Sequence, residues 1–527
     1  MNIQQAKREI ANTLKAYLSR DALGNYRIPS VRQRPVLLMG PPGIGKTQIM
    51  EQAAVECGVG LVAYTITHHT RQSAMGLPFI DKRTYAGQEH AVTGYTMSEI
   101  LSSVYDLMER TGLREGILFL DEINCVSETL APMMLQFLQC KTFGNQRLPE
   151  GWLIAAAGNP PEYNRSVREF DVVTLDRVRR MDIEPDYGVW KEYAARRGLH
   201  GAVRSYLDIR KENFYRMETT VDGLRFATAR GWEDLSELLT VYEELGIPAD
   251  REVVGQYIQL PEVARDFANY LELYDKYRRA YQVEEILRGT WAAVTAEELR
   301  AALFDEKLSV MGLLLSRLTE AARAAWRQDA LCTALHSTLT AFRDRIGADT
   351  ENKEPPAAVL EALTEDRRAA LAREREAGRL ETEDRDRRQR EIQWLEDCAH
   401  ALREADGNAD GNTDGNARGN AGGNTDGNAG GDAMDLVRAR FAGEVDRRAA
   451  FGTEAGDQFD NAFRFLESAV GQGQEIVLFV TEITAGYYTS WFVENFGCDA
   501  YFRHNRELLF DIRRARIRDQ IAAVRGL

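Results

Sequence analysis

The sequence predicts an α/β domain built on a parallel sheet, followed by a mainly helical C-terminal region. Three observations carry that prediction. Short apolar runs alternate with helical patterns from about residue 36 to 184, as expected for strands joined by crossover helices. The first run leads into a glycine-rich segment, Gly40-Pro41-Pro42-Gly43-Ile44-Gly45-Lys46-Thr47, and then into a helical pattern. From residue 185 onward, apolar side chains recur every three or four positions.

Taken in order, Ile3 to Leu18 reads as a helix and Asp21 to Tyr26 as a turn-rich approach to the sheet. Strands are predicted at Val36–Met39, Gly60–Tyr64, Ile117–Leu120, Leu153–Ala157 and Val178–Ile183. Pro78 to Tyr95, rich in Gly, Thr and Tyr, reads as an inserted hairpin. Lys141 to Leu148 reads as a second hairpin turning at Gly144-Asn145. These elements make up a domain of residues 1–184. A helical segment, 185–245, follows, with Trp190, Tyr193 and Ala194 on one face. Residues 246–405 stay helical, with Val263, Phe267, Tyr270, Leu271 and Tyr274 at 3–4 spacing and a charge-dense end that reads as a solvated face.

Residues 406–433 form a period-four repeat, DGNA DGNT DGNA RGNA GGNT DGNA GGDA. With no apolar side chain beyond alanine it has too little area to bury, so it reads as a flexible linker with an r.m.s. span of about 30 Å. A last helical segment, 434–527, is expected to fold or dock by itself, with Phe459, Phe463, Leu466, Trp491, Phe492 and Phe496 as its apolar positions.

Composition narrows the function classes. The 527 residues carry 66 Lys and Arg against 81 Asp and Glu, a net charge of −15. Such an acidic chain is not a general polyanion binder, because phosphate contacts need clustered cations. Six dispersed cysteines without a Cys-x-x-Cys pair argue against a disulfide framework and a zinc site, and point to a reducing, cytoplasmic setting. No apolar stretch follows a basic tip at the start, so no signal peptide is expected. The most apolar window, Ile476 to Val493, is too short and carries Glu482, so no membrane span is expected. His68-His69 and His90 lack ligand spacing for a metal.

The chemistry lies in the first domain. Gly40 to Thr47 matches G-x-x-x-x-G-K-[ST] after a strand and before a helix, the context that lets backbone N–H groups and a helix N-terminus cradle phosphate oxygens. Lys46 suits the β- and γ-phosphates and Thr47 a Mg²⁺ ion. Asp121 and Glu122 close an apolar strand, where open α/β sheets present groups to ligand. Asp121 suits contact with Mg²⁺ and Glu122 the polarising of an attacking water. Asn159 closes the next strand, within reach of that water or the γ-phosphate.

The series GPPGIGKT, LFLDEIN, AAGNPPEYN, LDRVRRMDIEPD and TARGWEDLS, in this order, resembles the MoxR-like branch of the AAA+ ATPases over roughly residues 20–245. The resemblance implies a P-loop AAA+ core with a helical lid at 185–245 and a mainly helical C-terminal region. It further implies ATP hydrolysis with Mg²⁺, nucleotide binding by Gly40, Pro41, Pro42, Gly43, Ile44, Gly45, Lys46, Thr47 and Gln48, and metal contact by Thr47 and Asp121. Glu122 becomes the catalytic carboxylate, Asn159 the first sensor, Arg230 the lid arginine and Arg177 an arginine finger serving a neighbouring subunit. At the finger this chain departs from the usual Arg-Phe, reading Arg177-Val178-Arg179-Arg180, so Arg179 or Arg180 is a further candidate. Also implied are a homo-oligomeric ring, usually a hexamer, a partner with a von Willebrand factor type A domain, and a chaperone-like role. Two alternatives stand beside it: a nucleic-acid-dependent motor, for which both hairpins carry few cations, and a binding module that ATP only switches.

Overall fold

The computed structural model describes all residues except 69–71, 73, 75, 86, 144–145, 164–166, 168–169, 221–222, 349–353, 378–381, 411–428 and 507–527. It divides into two compact units. The first comprises Met1–Val189 with Thr228–Arg230 and Ala369–Arg385, and the second Trp190–Ala227, Gly231–Arg368 and Asp386–Leu527.

The first unit is organised by a five-stranded sheet: β1 (Val36–Met39), β2 (Gly60–Thr65), β5 (Gly116–Asp121), β8 (Trp152–Gly158) and β9 (Arg179–Asp182). The order is β2-β5-β8-β1-β9, and every pairing is parallel. Each of the five apolar runs read from the sequence is one of these strands. β1 and β8 are buried along their whole length, so they read as unbroken apolar stretches. On one face Leu37, Leu118, Leu120 and Ile154 pack with Ile100 and Val104 of helix Glu99–Thr111 and Phe137 of helix Ala131–Cys140. Gly116 is fixed by Trp152, whose ring would lie 2.6 Å from a Cβ there. The N-terminal helix, Ile3–Leu18, is closed by a capping box between Asn2 and Gln5 and packs against helix Lys46–Cys57. Glu9 and Thr13 on that helix hold Arg179 of the edge strand β9.

Both expected hairpins form. β3 (Pro78–Tyr85) and β4 (Gln88–Tyr95) pair antiparallel from Pro78↔Tyr95 to Tyr85↔Gln88. The shorter β6 (Thr142–Phe143) and β7 (Gln146–Arg147) flank the expected turn at Gly144-Asn145, which lies outside the described residues, as does His69.

In the second unit the structure corrects one expectation. Residues 185–245 are not helical throughout: β10 (Arg216–Thr220) and β11 (Gly223–Ala227) pair antiparallel between helices Gly201–Ile209 and Ala229–Leu245. β-branched Thr219 and Thr220 favour strand, and Gly223, at φ +123°, takes a backbone conformation few other residues reach. The unit is otherwise built around a 45-residue helix, Phe304–Ala348. A 42-residue helix, Ala429–Val470, packs along it, held by Gln328 Nε2 donating to Glu444 Oε2 at 2.8 Å. Asn461 Nδ2 donates to Leu287 O at 2.7 Å in the same unit. Phe459, Phe463, Leu466 and Phe492 are buried, and Trp491 and Phe496 half-buried. Helical structure enters both ends of the repeat, through Asp410 and again from Ala429; its middle, 411–428, lies outside the described residues. Among the described residues no single helix is long and apolar enough to cross a membrane.

Candidate nucleotide-binding site

The strand order sets β1 beside β8 and β8 beside β5, so the chain leaving each strand's C-terminal end meets its neighbours there. After β1 the backbone turns through Gly43 (φ +74°) and Gly45 (φ +90°) into helix Lys46–Cys57, with Gly45 as N-cap. Gly43 is doubly constrained: besides its φ, a Cβ there would lie 3.2 Å from the Thr228 side chain. Arg230 N donates to Gly43 O at 3.2 Å, which ties the start of helix Ala229–Leu245 to the glycine-rich loop.

Lys46 is only 8 % exposed. Its Nζ donates to Gly40 O, Pro41 O and Asn159 Oδ1, each at 2.8 Å. Burial pushes its pKa down to about 8; Asp121 and Glu122 pull it upward while Arg230 adds to the depression. The ammonium is thus held inside the loop, with Arg230 close enough to be felt. Thr47 Oγ1 donates to Asp121 Oδ2 at 2.9 Å, and Asp121 Oδ1 accepts from Glu122 N at 2.9 Å. Ile44 is buried within the loop, whereas Gln48 is exposed on the first turn of the helix.

Glu122 adopts φ +56°, a left-handed conformation that costs a non-glycine residue about 1–2 kcal/mol. Its Oε2 accepts from Thr67 Oγ1 at 3.1 Å. Thr67 follows β2, whose register brings Thr65 opposite Asp121. Asn124 is 3 % exposed, and its Nδ2 donates to Asn159 O at 2.7 Å. Neither Thr67 nor Asn124 is among the site residues expected from the sequence. Only the β2–β5 pairing brings Thr67 into range, whereas Asn124, two positions past Glu122, has a local signal.

The expected residues divide into two groups. Lys46, Thr47, Asp121, Glu122 and Asn159 are joined by the contacts above, and Arg230 adjoins Lys46. Arg177 stands apart on an exposed loop before β9, where it donates to Gln139 Oε1. Arg179 is engaged by Glu9 and Thr13. Arg180 pairs with Asp182 at 2.8 Å on the edge strand.

A glycine-rich loop feeding a helix N-terminus, with lysine, hydroxyl and carboxylates converging, defines a P-loop nucleotide-binding site on an α/β sheet. Residues 36–175 match the family model described as "ATPase family associated with various cellular activities (AAA)". The matched stretch runs from β1 to the turn before Arg177, and with the parallel sheet it supports an AAA+ ATPase. No curated protein matches the chain. The Thr47 hydroxyl and Asp121 carboxylate are hard oxygen donors, the kind Mg²⁺ takes alongside substrate phosphates. Bound there, Mg²⁺ would neutralise phosphate charge.

Proposed function

We propose that this protein is a ring-forming AAA+ ATPase of the MoxR-like branch that hydrolyses ATP, with Mg²⁺, to remodel or mature a protein partner. The observation that carries the reading is the meeting of Lys46, Thr47, Asp121 and Asn159 at the ends of β1, β5 and β8. In this reading Gly40 to Gln48 bind the nucleotide, Thr47 and Asp121 hold the metal, and Glu122 orients the attacking water. Asn159 and Arg230 sense the γ-phosphate, and Arg177 serves the neighbouring subunit. Its exposure suits a group acting in trans, and Arg179, already engaged within its own chain, is the weaker candidate.

A protein client is favoured over nucleic acid by the β3–β4 hairpin. It presents Phe79 (48 % exposed) and Ile80 (79 % exposed) to solvent, a surface suited to polypeptide. Its two cations are neutralised, Lys82 by Glu89 at 3.0 Å and Arg83 by Asp81 at 2.8 Å. A von Willebrand factor type A partner, a hexameric ring and a cytoplasmic location complete the proposal by resemblance.

The test is a pair of variants. Glu122→Gln keeps size and hydrogen bonding but removes the charge, so ATP should bind with wild-type affinity while turnover falls at least a hundred-fold. Lys46→Ala should weaken binding as well. Wild-type turnover in Glu122→Gln would sink the assignment.

A further inference from the structure

Asn124 is a buried polar side chain with one satisfied end. Its Nδ2 donates to Asn159 O at 2.7 Å, while Asn124 Oδ1 is buried and no donor among the described residues reaches it. The arrangement cannot be an amide placed the other way round, since Asn159 O is a carbonyl and needs a donor. Oδ1 is turned toward Gly158, where a Cβ would lie 2.6 Å away. A glycine at the end of β8 therefore makes the room in which Asn124 sits. Buried acceptors seldom lack a protein donor, so the orientation of this amide, set by its bond to Asn159 O, calls for a reason.

What it holds is the peptide carrying Asn159. The segment after β5 already shares a backbone bond with β8, Ile123 N donating to Ala157 O at 2.9 Å. Asn124 adds a side-chain bond two residues further along β8's exit, and Asn159 Oδ1 in turn accepts from Lys46 Nζ at 2.8 Å. One chain of contacts thus runs Asn124, Asn159, Lys46, from the strand end bearing Glu122 to the glycine-rich loop.

We propose that Asn124 is a positioning residue for the hydrolytic step: it fixes the main chain of Asn159 so that the Asn159 side chain faces the phosphate end of the site in register with Glu122. The inference rests on the ATPase reading above. Asn124 touches neither nucleotide nor water in this role and acts through Asn159.

The experiment is a double-mutant cycle on the full-length protein, with ATP turnover, nucleotide affinity and thermal unfolding measured for each variant. Wild-type turnover comes first, because its absence would overturn the ATPase reading and this inference with it, an outcome distinct from the variant results below. Given turnover, Asn124→Ala should lower kcat about ten-fold while nucleotide affinity stays within two-fold of wild type. In an Asn159→Ala background the same substitution should change kcat less than two-fold, because the Asn159 side chain that Asn124 positions through the main chain is gone. A merely structural residue would lower both backgrounds equally. Gly158→Ala is the second variant, used in the same way if Asn124→Ala does not fold: its methyl displaces Asn124 and should reproduce the kcat loss, absorbed again by Asn159→Ala. Unchanged kcat in Asn124→Ala, or equal losses in both backgrounds, would overturn the proposal.

Discussion

At the C-terminal ends of β1, β5 and β8 sit a buried lysine, a buried and a half-buried asparagine amide, and a half-buried glutamate with a strained backbone, whereas the buried groups of the helical unit are mainly rings and branched alkyl chains. Lys46 is kept where burial lowers its pKa to about 8, and Glu122 is held at φ +56°. Phe342, Phe459 and Phe463 are fully buried, and Phe463 meets Phe479 edge-on at 5.2 Å. The first region spends stability on orientation; the second gains it from apolar area. A substitution should therefore show up as lost chemistry in one and as lost folding free energy in the other.

Four measurements would break or sharpen that contrast. The largest effect is expected at Arg177. If it acts on a neighbour's γ-phosphate, Arg177→Ala should keep nucleotide binding and lose roughly 10³-fold or more in turnover, as for arginine fingers generally. Mixing it with Glu122→Gln subunits should restore part of the activity, since some mixed interfaces carry both intact groups. A two-fold effect would exclude the role.

Next is Phe463→Ala, which empties a fully buried site and should cost about 3–5 kcal/mol of stability, read by thermal or denaturant unfolding. ATP affinity at low temperature should not change. If affinity falls in step with stability, the two regions are less separable than the contrast holds.

A smaller effect is expected from pH. Phosphate binding needs the Lys46 ammonium, and its pKa of about 8 means the free protein loses that proton as pH rises through 8. ATP affinity should fall about ten-fold between pH 7 and 9, following the protonated fraction of the lysine. A flat titration of affinity against pH would mean that Lys46 stays charged without nucleotide. The smallest change is predicted for Arg180→Ala, which removes an exposed pair with Asp182. Turnover within two-fold of wild type is expected; a loss like that of Arg177→Ala would move the finger to Arg180.

Much of the sheet and the core of the site were legible because their signals are local. Gly40 to Thr47 lies within eight residues, and Asp121-Glu122 ends its own apolar run. The central strands β1, β5 and β8 showed as short apolar stretches because they are covered on both faces, whereas the edge strand β9 is mostly charged and was marked by Met181 with Val178 and Ile183 beside it. What was hidden depends on pairing across the chain. Thr67 reaches Glu122 only through the β2–β5 register. Arg179 could not be told from Arg177 while Glu9 and Thr13, at the other end of the domain, had no known position. The β10–β11 hairpin was masked by the helical spacing on either side of it, although Thr219-Thr220 and Gly223 carried a strand-and-turn signal.

The 45-residue helix Phe304–Ala348 has a mechanical consequence. At 1.5 Å per residue it extends about 68 Å, so a tilt of about 5° at one end sweeps the other through roughly 6 Å, more than a full turn of helix pitch. The helix Ala429–Val470 laid along it works as a splint, stiffening the rod against bending. A paired rod of that length transmits small angular changes as large displacements, which is the behaviour of a lever arm.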